Sequence, residues 1–257
     1  MDTLIMKFGG ASVATPEHFS KIADIIIERL KSIPRIIIVV SAMGKTTDEL
    51  INLAKQVNPS PPKREYDMLV SVGERISISL LAMALAAKNY EAVSFTGSQS
   101  GIITTEEHTE ARILDIKPRR LISSLDAGKI VIVAGFQGVS INGNITTLGR
   151  GGGDTSAVAL GVAFNAKVEF YKDVPGFFSE DPKINPQATH YSSLSYSQAL
   201  DITTKGAKIL HPRSIQLAEK NFLQLQVLSF DESKKGLTTL IHSDKCASIE
   251  KPIYEQV

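Results

Sequence analysis

The chain has 257 residues, of which 43% are hydrophobic and 21% charged; that is about 1.7 times the ~150 residues of an ordinary domain and enough for one large core. Its 28 Lys and Arg against 27 Asp and Glu leave a net charge of +1, which excludes polyelectrolyte behaviour and offers no basic stripe for a nucleic-acid backbone, so nucleic acid is not an expected partner. Cys246 is the only cysteine, and neither a signal-like segment nor an apolar run of the ~20 residues a membrane span needs is evident. A cytoplasmic protein without a membrane segment, a disulfide or a Cys-rich metal site is therefore expected.

In chain order, residues 3–8 and 35–41 are short apolar runs, the second rich in Ile and Val, that read as strands. Between them, Phe19, Ile22, Ile25, Ile26 and Leu30 recur at helical spacing over 16–31. Thr15 before Pro16 marks the helix start. Residues 48–57 read as a helix, 58–62 (NPSPP) as a breaker, 64–89 as one long buried helix and 91–95 as a strand. A helix over 117–127 is closed by Gly128, a buried strand covers 129–134, and a small-residue helix over 155–165 leads into a strand at 168–172. Residues 173–190, rich in Pro, Gly and Asp, read as a functional loop. Helices at 197–205 and 212–220, strands at 223–229 and 237–241, and a polar tail over 243–257 complete the chain. The alternation predicts a three-layer αβα sandwich with a largely parallel central sheet.

No P-loop, dinucleotide-binding turn, zincin motif, nucleophile elbow or metal-ligand spacing occurs. Glycine-rich strand ends do. Lys7-Phe8-Gly9-Gly10-Ala11-Ser12 follows an apolar strand, where glycines let backbone N–H groups approach a phosphate and Lys7 supplies a point charge; a tight turn with a solvated lysine accounts for it equally well. Gly149-Arg150-Gly151-Gly152-Gly153-Asp154 precedes a helix and combines a flexible backbone, an anion-binding Arg and a helix N-terminus. A loop ending in an Asp154 cap is the alternative, but three consecutive glycines carry an entropy cost that a plain connection avoids. Glu74-Arg75 interrupts an apolar helix, which calls for a polar cleft or a solvated edge. Ser41-Ala42-Met43-Gly44 with Thr47 closes the second strand, at the carboxyl end where parallel sheets bind ligands.

Together MKFGGASV (6–13), VVSAMGKTTDEL (39–50), SVGER (71–75), GFQGV (135–139), TTLGRGGGDTSAVAL (146–160), DVPGFFSEDPK (173–183) and GAKILHP (206–212) resemble, in order and spacing, the catalytic domain of the aspartokinase family. The resemblance implies the amino acid kinase fold over residues 1–242. It also implies ATP- and Mg²⁺-dependent phosphorylation of the side-chain carboxylate of L-aspartate, towards lysine, threonine and methionine. By motif, Lys7 and Asp154 would be catalytic, and Gly9, Gly10, Ser12 and Gly44 would cradle phosphate. Arg150 would grip the α-carboxylate and Glu74 the α-ammonium, with Ser41, Thr47 and Gly153 lining the acceptor site. Lys172, Asp173, Phe178, Lys183 and Lys208 would face the nucleotide. Mg²⁺ would take its ligands from phosphate and water, with no protein metal site.

Three positions depart from the family pattern: relatives read KFGGTSV, GRGGSD and TDV where this chain has Ala11, Gly153 and Lys172. Gly153 removes a hydroxyl from the acceptor loop and keeps glutamate or a modified aspartate open as acceptors. A non-catalytic ligand-binding subunit is the third reading, opposed by Lys7, Glu74, Arg150, Asp154 and Lys208. Lys172 adds a cation that either meets phosphate or points to solvent. Residues 243–257 resemble the linker to the family's regulatory ACT domains. A stand-alone or excised catalytic domain, monomeric or weakly dimeric, without feedback inhibition and served at most by a separate regulatory chain, is the expectation.

Overall fold

The computed structural model describes residues 2–182, 184–231, 236–243 and 251–255; Cys246, Lys183 and most of the expected tail lie outside them. Its centre is an eight-stranded sheet. Strands β1 (Thr3–Phe8), β2 (Arg35–Val40), β6 (Ile130–Ala134), β9 (Val168–Lys172) and β3 (Ala92–Phe95) are all parallel. β13 (Leu225–Ser229) continues the sheet parallel to β9, β14 (Thr238–Ile241) turns antiparallel, and β12 (Ser193–Leu194) forms the edge, giving the order β12-β14-β13-β9-β1-β2-β6-β3.

The inner strands are buried on both faces, which is why β2 and β6 read as unbroken Ile/Val runs and β1 as a mixed apolar run instead of alternating patterns. Successive residues point to opposite sides. Leu4, Met6, Ile36 and Ile38 join one core cluster with α1 (Pro16–Leu30) and α4 (Val72–Ala86). Ile5, Ile37, Val39 and Val131 join another with α6 (Arg119–Asp126), α7 (Gly152–Phe164), α8 (Tyr196–Thr204) and α9 (Pro212–Lys220). The three-layer sandwich with a largely parallel sheet is thus present. Thr15 does precede α1 and Pro16 does open it, although the Thr15 side chain makes no capping bond.

Three expectations are corrected. The long helix breaks at Ser71 into α3 (Lys63–Val70) and α4, because the Ser71 carbonyl accepts from the Gln137 side-chain amide at 2.8 Å. By length and composition the tract Lys63–Ala86 could cross a membrane; here Ile78, Leu81 and Leu85 are buried in the core. A second sheet, β5-β4-β7-β8, formed by Ile113–Ile116, Ile102–Thr104, Gln137–Ser140 and Ile145–Thr147, has no counterpart in the sequence reading. The buried Asp67 carboxylate anchors it, accepting from the Thr147 hydroxyl at 2.6 Å, the Thr147 and Thr109 amides, and pairing with His108 Nδ1 at 2.8 Å. Finally, the tail is not simply polar linker: Tyr254 is buried with the core and Glu255 is paired to Arg213. Among its described residues, the segment 173–190 is a loop apart from two short antiparallel strands, Phe177–Phe178 and His190–Tyr191, the second ending just beyond it.

Candidate active site

Parallel registry of β1 with β2 and β9 brings the carboxyl ends of three strands side by side, and the groups with chemistry sit there. Lys7, near the end of β1, is 3% exposed. Its Nζ donates to Ser41 Oγ at 3.0 Å and pairs with Asp154 at 3.3 Å. Asp154 lies in the first turn of α7, where the helix N-terminus favours an anion. Lys172, the last residue of β9, reaches the same carboxylate from the other side, at 3.3 and 3.1 Å from its two oxygens. Lys172 therefore does not point to solvent; it shares Asp154 with Lys7. Burial alone would raise the Asp154 pKa, but the two ammonium groups outweigh it and hold the carboxyl below its ordinary value. Burial lowers the Lys7 pKa, with Lys172 adding to the shift and Asp154 opposing it. Two cations and one anion leave an excess of positive charge.

Glu74, in the first turn of α4, is 3% exposed. Its Oε1 accepts the Ala42 amide at 3.1 Å, whereas Oε2 is buried without a hydrogen-bond partner. Burial pushes its pKa up to about 7, against the backbone amides of Glu74 and Ala42 and the charge of Lys7. An orphaned buried carboxylate oxygen costs roughly 1–3 kcal/mol, a cost that a cationic ligand can relieve. The Thr47 hydroxyl lies beside Gly73, where a Cβ would come within 3.8 Å of its Oγ1 and 2.7 Å of Ala42 Cβ.

The glycines hold the two turns close. A Cβ on Gly10 would stand 3.3 Å from the Ala42 carbonyl, and the Gly44 amide donates to the Gly10 carbonyl at 3.3 Å. Gly9 has more room: a Cβ there meets only Lys7 Nζ, at 3.7 Å. Ser12 is buried and donates to the Tyr171 carbonyl at 3.3 Å, tying the turn to β9. Gly151 has φ +74°, and a Cβ on it would overlap the His211 ring. A Cβ on Gly153 would sit 3.3 Å from both Lys7 Cε and Ser41 Oγ, so the residue lies directly against the lysine.

Asp173, Phe178 and Lys208 line one cavity of about 770 Å³, together with Tyr191, Lys205 and Ile209. Its lining begins at Asp173, the residue after Lys172 in the chain. Lys183 lies outside the described residues. Arg150 stands apart from Lys7 and Glu74: it is exposed, has no partner among the described residues, and lines a second cavity of about 560 Å³ with His211, Arg213 and Glu255. No group of three or more His, Cys, Asp or Glu among the described residues could hold a metal ion. The sequence reading missed His211, whose only signal was membership of the ILHP segment, and Tyr191, which lies one residue beyond the long loop.

Residues 2–229 match the amino acid kinase family. The chain belongs to that family. Among curated relatives it is 49% identical to an aspartokinase of Geobacillus stearothermophilus and 48% identical to one of Bacillus sp. (strain MGA3); each alignment covers 92% of this chain and 58% of the relative. The chain therefore spans less than two thirds of those relatives. Among solved structures, the aspartate kinase of Synechocystis superposes with a TM-score of 0.83 at 41% identity, over 97% of this chain and 40% of that one. The amino acid kinase fold expected from the motifs is thus established.

Proposed function

We propose that the chain transfers the γ-phosphoryl group of ATP to the side-chain carboxylate of L-aspartate, giving ADP and 4-phospho-L-aspartate. The observation that carries this reading is the unpartnered, buried Oε2 of Glu74 beside an over-cationic Lys7–Asp154–Lys172 cluster. The pair suits an acceptor with an ammonium at one end and a carboxylate to be phosphorylated at the other. The identity of 48–49% to aspartokinases supports aspartate as that acceptor.

The chemistry needs no general base, since a carboxylate with an ordinary pKa near ~4 is already ionised at neutral pH. One of its oxygens attacks the γ-phosphorus, the bond to the β,γ-bridging oxygen breaks, and ADP leaves with the electron pair. The obstacle is repulsion between two anions, and catalysis consists of positioning and charge neutralisation. Lys7 and Lys172 supply that charge. Asp154, kept ionised by both, orients them and neither takes nor gives a proton. Glu74 would hold the ammonium, with the Thr47 hydroxyl beside it, and Arg150 would close on the α-carboxylate. The 770 Å³ cavity with Asp173, Phe178 and Lys208 would take the nucleotide. Both Asp154 oxygens are engaged by lysines, so the residues fit a Mg²⁺ held by phosphate and water, where it would screen phosphate charge.

The test is turnover with ATP and Mg²⁺ in the presence of aspartate, glutamate or no acceptor, read as acyl phosphate trapped by hydroxylamine. Hydroxamate is expected with aspartate. None with aspartate, or more with glutamate, would overturn the assignment.

A further inference from the structure

Resting on the reading of Arg150 as the clamp on the acceptor's α-carboxylate, we propose that Glu255 is a positioning residue for Arg150, acting through Arg213. The guanidinium of Arg213, at the start of α9, makes a two-pronged pair with the Glu255 carboxylate and donates to two backbone carbonyls, Ala111 at 2.7 Å and Leu148. Leu148 is buried and directly precedes the turn Gly149-Arg150-Gly151. The other end of that turn rests on the same helix start, since Gly151 is packed against the His211 ring with no room for a Cβ. Arg150 itself has no side-chain partner among the described residues, so its direction follows from how its backbone is held, by these two supports and by the bonds of the turn itself, Gly152 amide to Gly149 carbonyl at 3.0 Å and Thr155 amide to Gly151 carbonyl at 3.0 Å.

Glu255 fixes the strut from the opposite side. Its amide donates to the Ile113 carbonyl at 3.0 Å, and the Ile113 amide donates to its Oε2 at 2.8 Å, so the residue is docked on β5 by both backbone and side chain. Two residues earlier, Ile253 is held through its amide and carbonyl by the Asn221 side chain, at 2.9 and 2.7 Å. A cation at a helix N-terminus is opposed by the helix dipole. The Arg213 side chain is also only 22% exposed. It needs the Glu255 charge to stay folded over the Leu148 carbonyl, and bidentate Arg–carboxylate geometry makes that hold directional. Without the carboxylate, Arg213 swings toward water, the Leu148 carbonyl loses its donor, and the Arg150 turn loses the support on its N-terminal side that comes from α9.

Glu255→Gln is expected to raise the KM for aspartate on the order of tenfold, from the loss of a charge-assisted pair, while kcat and the KM for ATP stay within about twofold. Asn221→Ala, which releases Ile253 without touching Arg213, is expected to move the aspartate KM in the same direction. Combining Glu255→Gln with Arg213→Gln should raise it no further than Arg213→Gln alone, because both act through one strut. If Glu255→Gln leaves the aspartate KM within twofold while Arg150→Lys raises it, the strut is refuted and the acceptor site stands. If Arg150→Lys itself leaves that KM unchanged, the acceptor-site reading falls first. A shift of kcat and both KM values together, with a lower melting temperature, would assign Glu255 to general stability and overturn the positioning role.

Discussion

Replacing Glu74 by glutamine keeps the shape of the side chain and removes the one charge that the acceptor's ammonium would meet. Burial has raised the Glu74 pKa from 4.5 to about 7, and at ~1.36 kcal/mol per unit this corresponds to about 3 kcal/mol of cost to the folded chain once the group is ionised. Between pH 4.5 and 7 the folded state binds more protons at this position than the unfolded state, so this contribution to stability falls as pH rises through that window and stays low above it. Glu74→Gln should therefore melt higher than the unmutated chain at pH 8, by an amount that shrinks towards pH 5. Catalysis should move the other way. Only the ionised carboxylate pairs with an ammonium, so kcat/KM for aspartate in the unmutated chain should drop roughly tenfold from pH 8 to pH 6. The variant should lose about 2–3 kcal/mol of acceptor binding, roughly 30- to 160-fold in KM, and should not show that pH step. Thermal melts and initial rates at saturating ATP from pH 5 to 8.5 measure both. An aspartate kcat/KM that is flat between pH 6 and 8, or a variant whose KM stays within twofold, would refute the pairing of Glu74 with the ammonium.

Lys7→Met removes the cation that lies between Ser41 and Asp154, and should lower kcat by about 10²–10³-fold with little change in the KM for aspartate; single-turnover rates check it. Lys172→Thr should reduce kcat several-fold but less than Lys7→Met, and raise the pKa of Lys7 by removing a neighbouring charge; a kcat within twofold would confine Lys172 to neutralising Asp154. Gly151→Ala puts a Cβ into the His211 ring at a positive φ, at a cost of about 1–3 kcal/mol, and should raise the KM for aspartate more than that for ATP by tilting the Arg150 turn.

The parts of the fold legible in the sequence are those whose cause is local. The Ile and Val runs of β2 and β6 and the apolar run of β1 announce a sheet buried on both sides, and Pro16 after Thr15 fixes where α1 begins. The break at Ser71 is invisible because its cause, Gln137, lies 66 residues away. The second sheet escaped notice because its strands have three or four residues each, too few to establish a period. Site residues followed the same division. Lys7, Gly10 and Glu74 sit in segments whose composition is odd for a plain turn or core helix, which makes them legible as candidates. Asp67 and Glu255 are single acids in ordinary surroundings whose partners come from distant strands.

Lys172 shows most clearly what sequence leaves undecided. For a lysine considered alone, phosphate contact and solvent exposure are both open. Registry decides against solvent: β9 runs parallel beside β1 with Tyr171 opposite Phe8, so a side chain at the next position emerges at the same sheet end as Lys7, above the start of α7. Asp154 is there, and one carboxylate then faces two ammonium groups. That arrangement also bears on Glu74. With Asp154 committed to the lysines and Lys7 the weakest of the influences on Glu74, the buried glutamate has little in the protein to ionise against. An over-cationic centre beside an acid that is only about half ionised at neutral pH is unfavourable by itself. Both imbalances are relieved together by a ligand that carries phosphate to one side and an ammonium to the other.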